Sequence, residues 1–135
     1  MCLYTKQTES KIAKKDITCY KFYIRYIGGL TVSPYRGIIV PKIGTITNTE
    51  LGKPYKPKES NFYIHNFYGF KGVDKGFHSF KTLEDTKSIV DGYKENFVLV
   101  IYKCIIPKGS LYYSGKFLDY KSYCSNNIKL IEVCV

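Results

Sequence analysis

The chain has 135 residues, 44% hydrophobic and 16% aromatic, with 14 tyrosines and 8 phenylalanines but no tryptophan. That length and composition fit one globular domain with a real core and exclude a disordered polymer. Lys and Arg number 21 against 11 acids, a formal charge of +10, which reads either as solubility or as an electropositive surface that attracts anions such as nucleic acid or a phosphorylated small molecule.

Residues 1–15 read as a polar, lysine-rich N-terminal arm or edge segment, and residues 16–135 as a single domain. Asp16 to Ile24 alternates and is rich in β-formers, so it is predicted as the first strand. Gly28-Gly29 signals a turn, and short extended pieces follow on either side of Pro34. Ile43 to Thr47 reads as a short strand. Asn48 to Ser60, with Pro54 and Pro57, reads as a long loop of the kind that often carries binding residues. Asn61 to Phe70 is aromatic throughout without clean alternation.

Thr82-Leu83-Glu84-Asp85 resembles a capping box, with Thr82 as N-cap and acids in the first turn. Leu83, Thr86, Ile89, Val90 and Tyr93 then share one helical face, so a helix is expected from Thr82 to about Tyr93. Phe97 to Ile106 is a continuous apolar run, predicted as a central strand buried on both faces. After the Pro107 turn, Leu111 to Ser114 reads as a short strand, Gly115 to Asn127 as irregular or one helical turn, and Ile128 to Val135 as the strand that closes the sheet. The expected class is α+β: a curved, mostly antiparallel or split sheet of six to eight strands with one principal helix.

Chemistry-bearing residues are sparse. The five cysteines (Cys2, Cys19, Cys104, Cys124, Cys134) form no CxxC and no Cys/His zinc spacing. With only His65 and His78 as histidines, no metal site is expected. The odd cysteine count and the lack of a long apolar run point to a reducing cytoplasm and no membrane span. No carboxylate pair suggests acid–base catalysis, and no phosphate-binding glycine loop is present. Only Arg25 and Arg36 are arginines; the other cations are lysines spread along the chain, point charges rather than guanidinium forks. Gly76-Phe77-His78-Ser79-Phe80 stands out as an aromatic-flanked turn carrying a hydroxyl and an imidazole. Its alternative reading is a structural corner in which His78 bonds a nearby carbonyl.

The order of these pieces resembles the ADP-ribosyltransferase fold, which binds NAD across a split sheet. Cys19-Tyr20-Lys21 stands for the first element, Lys42 to Ile46 for the second, Gly76 to Phe80 for the third, Val98 to Gly109 for the fourth and Asn126 to Leu130 for the fifth. Lys21 occupies the place of the family's Arg or His, and Asn127 the place of its catalytic glutamate. An amide cannot supply the charge that stabilises an oxocarbenium-like ribose. The resemblance therefore implies nucleotide binding without catalysis and no cofactor. Tyr20, Tyr35, Phe77 or Phe80 would stack on the base, Lys21, Arg36 and His78 would meet phosphate, Ser79 would donate, and Asn127 would line the site. The opening Met1-Cys2-Leu3-Tyr4-Thr5 is similar to that of small phage proteins, some of which sequester nucleotide immune signals such as cyclic ADP-ribose variants. The alternatives are a divergent NAD-dependent transferase and a lysine-rich nucleic-acid-binding protein.

Overall fold

In the computed structural model, which describes residues 3–25, 31–32, 39–56, 69–92 and 98–134, the apolar and tyrosine-rich runs become strands of one antiparallel sheet. In chain order these are β1 (Leu3–Thr5), β2 (Lys11–Ile12), β3 (Ile17–Arg25), β4 (Thr31–Val32), β5 (Ile46–Asn48), β6 (Lys71–Val73) and β7 (Phe77–Phe80). The helix α1 (Leu83–Asp91) follows, and then β8 (Val98–Ile106), β9 (Leu111–Phe117), β10 (Tyr120–Ser125) and β11 (Asn127–Val133). The strand order is β5-β11-β8-β3-β7-β10-β9-β1-β6, with β4 added to β3 and β2 to β9.

The expected α+β class is overturned: with eleven strands and a nine-residue helix among the described residues, the fold is essentially all-β. The reason lies in the tyrosine-rich C-terminal third. Residues 111–125 interleave Tyr and Phe with Ser, Gly, Lys and Cys, which hides a period of two, because a tyrosine can face either core or water. They form the β9–β10 hairpin, in register from Tyr120↔Phe117 to Ser125↔Tyr112. Its turn needs a positive φ, which Leu118 supplies at 54°. Residues 3–5 are fully inside the sheet, with Leu3 and Thr5 at 0% exposure and paired to both β6 and β9, so the N-terminus is a structural strand here and not a trailing arm. β11 lies between β5 and β8, and β5 forms the edge that the last strand was expected to close.

The helix forms where its capping signal stands. Thr82 accepts a hydrogen bond from the Asp85 N–H (3.2 Å), Gly92 follows the last turn, and Thr86, Ile89 and Val90 are buried. These pack with Phe22, Phe80 and Ile101 on one face of the sheet. The opposite face carries Cys19, Tyr23, Val100, Tyr102, Cys104, Ile106, Ile128 and Leu130. A third cluster joins Leu3, Val73, Tyr113 and Cys124. β8 is central, between β11 and β3, although Val98 at its start is 63% exposed. Gly28, Gly29, Tyr35, Arg36, residues 57–68, Tyr93 and Phe97, which carried several expectations, lie outside the described residues.

Two features of the sheet set where its side chains can converge. β3 pairs with β8 along its whole length, from Ile17↔Ile106 to Arg25↔Val98, but meets β7 at one pair only, Tyr20↔Phe80. Beyond that pair the sheet forks, and β7 leaves with β10, β9, β1 and β6. On the second limb, β1 crosses so close to β9 that a Cβ at Gly115 would collide with the Tyr4 carbonyl. Because the obstacle is backbone, it cannot rotate away. Gly115→Ala is expected to cost roughly 1–3 kcal/mol, read as a lower urea midpoint; an unchanged midpoint would show that β1 can shift aside.

Candidate functional site

The structure disperses the residues that sequence reasoning gathered around the central turn. Ser79 and Phe80 are core residues, 0% and 1% exposed, so neither side chain is open to solvent. Ser79 Oγ is buried and meets no partner at hydrogen-bonding geometry among the described residues. Phe77 is half-buried against the first core cluster, and Tyr20 packs beside the helix cluster on the other face. Asn127 donates from its amide to Ser110 Oγ (3.3 Å) and Asn126 Oδ1 (3.2 Å). It lies on the face opposite Ile128 and Leu130, which point into the first cluster. Tyr35 and Arg36 lie outside the described residues.

Lys21 and His78 do meet, at the fork of the sheet. The Lys21 ammonium donates to the His78 carbonyl (2.5 Å) and lies 5.7 Å from the Tyr23 ring centroid and 5.9 Å from that of Phe77. Lys21 keeps some surface in solvent, but its charged end is turned inward, and burial lowers its pKa. His78 Nε2 sits 2.7 Å from the Asp74 carbonyl and 3.8 Å from Cys124 Sγ; the carbonyl partner assigns the proton to Nε2. Gly76 makes this corner possible: its φ is 141°, and a Cβ there would meet Cys124 Sγ. Lysine, histidine and thiol thus hold the fork together.

Burial, with the Lys21 charge adding to it, pushes the His78 imidazole down to about 4 from 6.5, and the Asp74 carbonyl opposes this only in part. Between those two values the unfolded chain takes up a proton that the folded chain refuses. The contribution is therefore intact above pH 6.5 and is lost as the pH falls toward 4. The loss is expected to total roughly 3 kcal/mol. The difference in stability between wild type and His78→Gln, followed from pH 7 to 4.5, should shrink accordingly; a constant difference would mean that the imidazole titrates normally.

An open concavity lies elsewhere, on the β2–β9–β10 limb. It is a groove of about 770 Å³ lined by Lys6, Lys11, Lys15, Lys81, Lys116 and Lys121, with Phe70, Tyr112 and Tyr123 among its apolar surfaces. The sheet register explains why these meet. Lys121 is directly opposite Lys116 on β9, and the ladder continues to Lys81, whose N–H donates to the Lys121 carbonyl (3.0 Å). Residues directly opposite share a face, so three lysines form one cross-strand row. Tyr123↔Ser114 is the next pair on that face, and Ser125↔Tyr112 the one after, with Lys11 opposite Tyr112 on the far side. The two tyrosine rings meet edge to face, 6.1 Å between centroids. Gln7 spans the groove wall, accepting from both the N–H (2.8 Å) and hydroxyl (2.9 Å) of Ser114.

Electrostatically the groove is one-sided. Among the described residues no carboxylate lines it, and Glu9 and Asp119, on the flanking turns, stand outside the lining. Among the described residues the one ion pair, Lys75 with Glu50, is on another surface. Lys6 lies 5.2 Å from the Phe70 centroid, a cation–π contact that leaves its charge unneutralised. Among the described residues no group of His, Cys, Asp or Glu is arranged to hold a metal.

No family model, curated protein or solved structure matches this chain. Sequence reasoning missed the groove because its six lysines come from positions 6 to 121 and form no block in the chain. The one available signal was the Lys116/Lys121 pair flanking a turn, which becomes informative only once the β9–β10 hairpin is recognised.

Proposed function

We propose that the protein binds a phosphorylated nucleotide in the lysine groove and holds it without transforming it. The observation that carries this reading is the row Lys81–Lys121–Lys116. Like charges directly opposite on adjacent strands each cost about 0.2–1 kcal/mol, and no acid among the described lining residues relieves them. An anion would relieve the repulsion, and the tyrosines on the same face offer rings to a base. The described lining holds lysines, tyrosines and neutral polar groups, with neither carboxylate nor imidazole to act as a general base. A binder of this kind suits the role of a sponge for a nucleotide signal, such as the cyclic ADP-ribose type used in antiphage immunity. The thiols at Cys19, Cys104, Cys124 and Cys134 suit a cytoplasmic setting. Among the described residues no helix is long and apolar enough to cross a membrane.

Native mass spectrometry and calorimetric titration test this. The expected result is 1:1 retention of an unmodified nucleotide. Incubation with labelled NAD should release no nicotinamide; release that depends on Asn127, or on Glu132, the acid of the same strand β11, would favour the transferase reading instead. Tight binding of long single strands with a steep salt slope, in place of mononucleotides, would favour a nucleic-acid partner.

A further inference from the structure

We infer that the groove is built for two adjacent phosphoryl groups, so that its ligand is a nucleoside diphosphate and not a monophosphate; this rests on the proposed nucleotide binding. Lys81, Lys121 and Lys116 sit on three neighbouring strands, and neighbouring strands are about 5 Å apart, so the row spans about 10 Å. It has two gaps, with Lys121 flanking both. One phosphate seated in either gap neutralises two ammoniums and leaves the third repelling its neighbour. Two linked phosphoryl groups fill both gaps at once.

The rest of the same face orients the ligand. Tyr123 and Ser114 are two residues from the row along their strands, and Tyr112 is four residues from it. At the strand rise of about 3.4 Å per residue this places them about 7 Å and 14 Å from the lysines. The phosphates lie toward the β9–β10 turn, the sugar passes near Ser114, and the base reaches the paired rings of Tyr123 and Tyr112. Lys11, opposite Tyr112, marks the base end. Lys15 lines the groove but lies outside the row.

AMP and ADP titrations on wild type, Lys121→Gln and Lys15→Gln test this. These side chains are exposed, so the variants should fold. ADP is expected to bind wild type about 30-fold more tightly than AMP, the worth of one added charge-assisted contact. Any basic surface prefers the more highly charged ligand, so the variants decide. Lys121→Gln should reduce the ADP/AMP ratio to about threefold or less, whereas Lys15→Gln should weaken both nucleotides and keep the ratio. A wild-type ratio near one, or an unchanged ratio in Lys121→Gln, would overturn the two-phosphate assignment while leaving nucleotide binding intact. Failure of both nucleotides to bind overturns the assignment and the reading beneath it.

Discussion

Replacing Lys81, Lys116 and Lys121 together by glutamine is expected to weaken nucleotide binding by a factor of at least about 100 and, in the same protein, to raise its melting temperature. The first effect follows from losing three cationic donors, each charge-assisted contact being worth about 1.5–3 kcal/mol. The second follows from the register. Lys121 faces a lysine on each side, so the substitution removes two like-charge contacts of about 0.2–1 kcal/mol each. A gain of that size corresponds to a few degrees, roughly 2–8 °C per kcal/mol over this range of domain sizes. The opposite signs give the test its power. Lysines kept for solubility alone would leave affinity unchanged, and lysines needed for the fold would lower the melting temperature. Calorimetric titration and a thermal scan on the one variant separate these cases.

Phe80→Ala is expected to be the most damaging single substitution in the described core. Phe80 is 1% exposed, stacks on Phe22 at 6.2 Å between centroids and meets Phe117 at 6.0 Å. Its backbone also makes the one pair that joins β7 to β3. Truncating a buried phenylalanine costs about 3–5 kcal/mol, a large share of the ~5–15 kcal/mol that holds a domain together. Phe80→Leu keeps most of the volume and should cost less, leaving a folded protein whose nucleotide affinity is unchanged. A Phe80→Leu protein of normal stability that had lost affinity would restore the stacking role that sequence reasoning gave this ring.

What was legible in the sequence was local. Thr82 followed by acids marks a helix start, because a hydroxyl acceptor and negative charge complement unpaired N–H groups, and the helix begins there. The runs from Asp16 to Ile24 and from Phe97 to Ile106 announce strands through β-branched and apolar content, and the strands found there, β3 and β8, pair over nine residues. The class was misjudged where tyrosine and lysine, amphipathic side chains able to lie on either face, replace clean alternation. The groove was illegible for a different reason. Gly76 to Phe80 is conspicuous as a string of residue types, but period-two geometry sends Ser79 inward, the core closes over Phe80, and the Asp74 carbonyl occupies His78. The groove lysines are unremarkable one by one. Only strand order and register, set by contacts more than a hundred residues apart in the chain such as Thr5 with Ser114, bring them into one groove.

The most direct measurement is an NMR titration with ADP that follows the lysine Nζ and tyrosine ring signals. The expected result is saturable shifts at Lys81, Lys116, Lys121, Tyr112 and Tyr123, with ADP recovered unchanged. Shifts confined to Lys21, Phe77 and His78, or none at all, would contradict the assignment of the groove as the binding site.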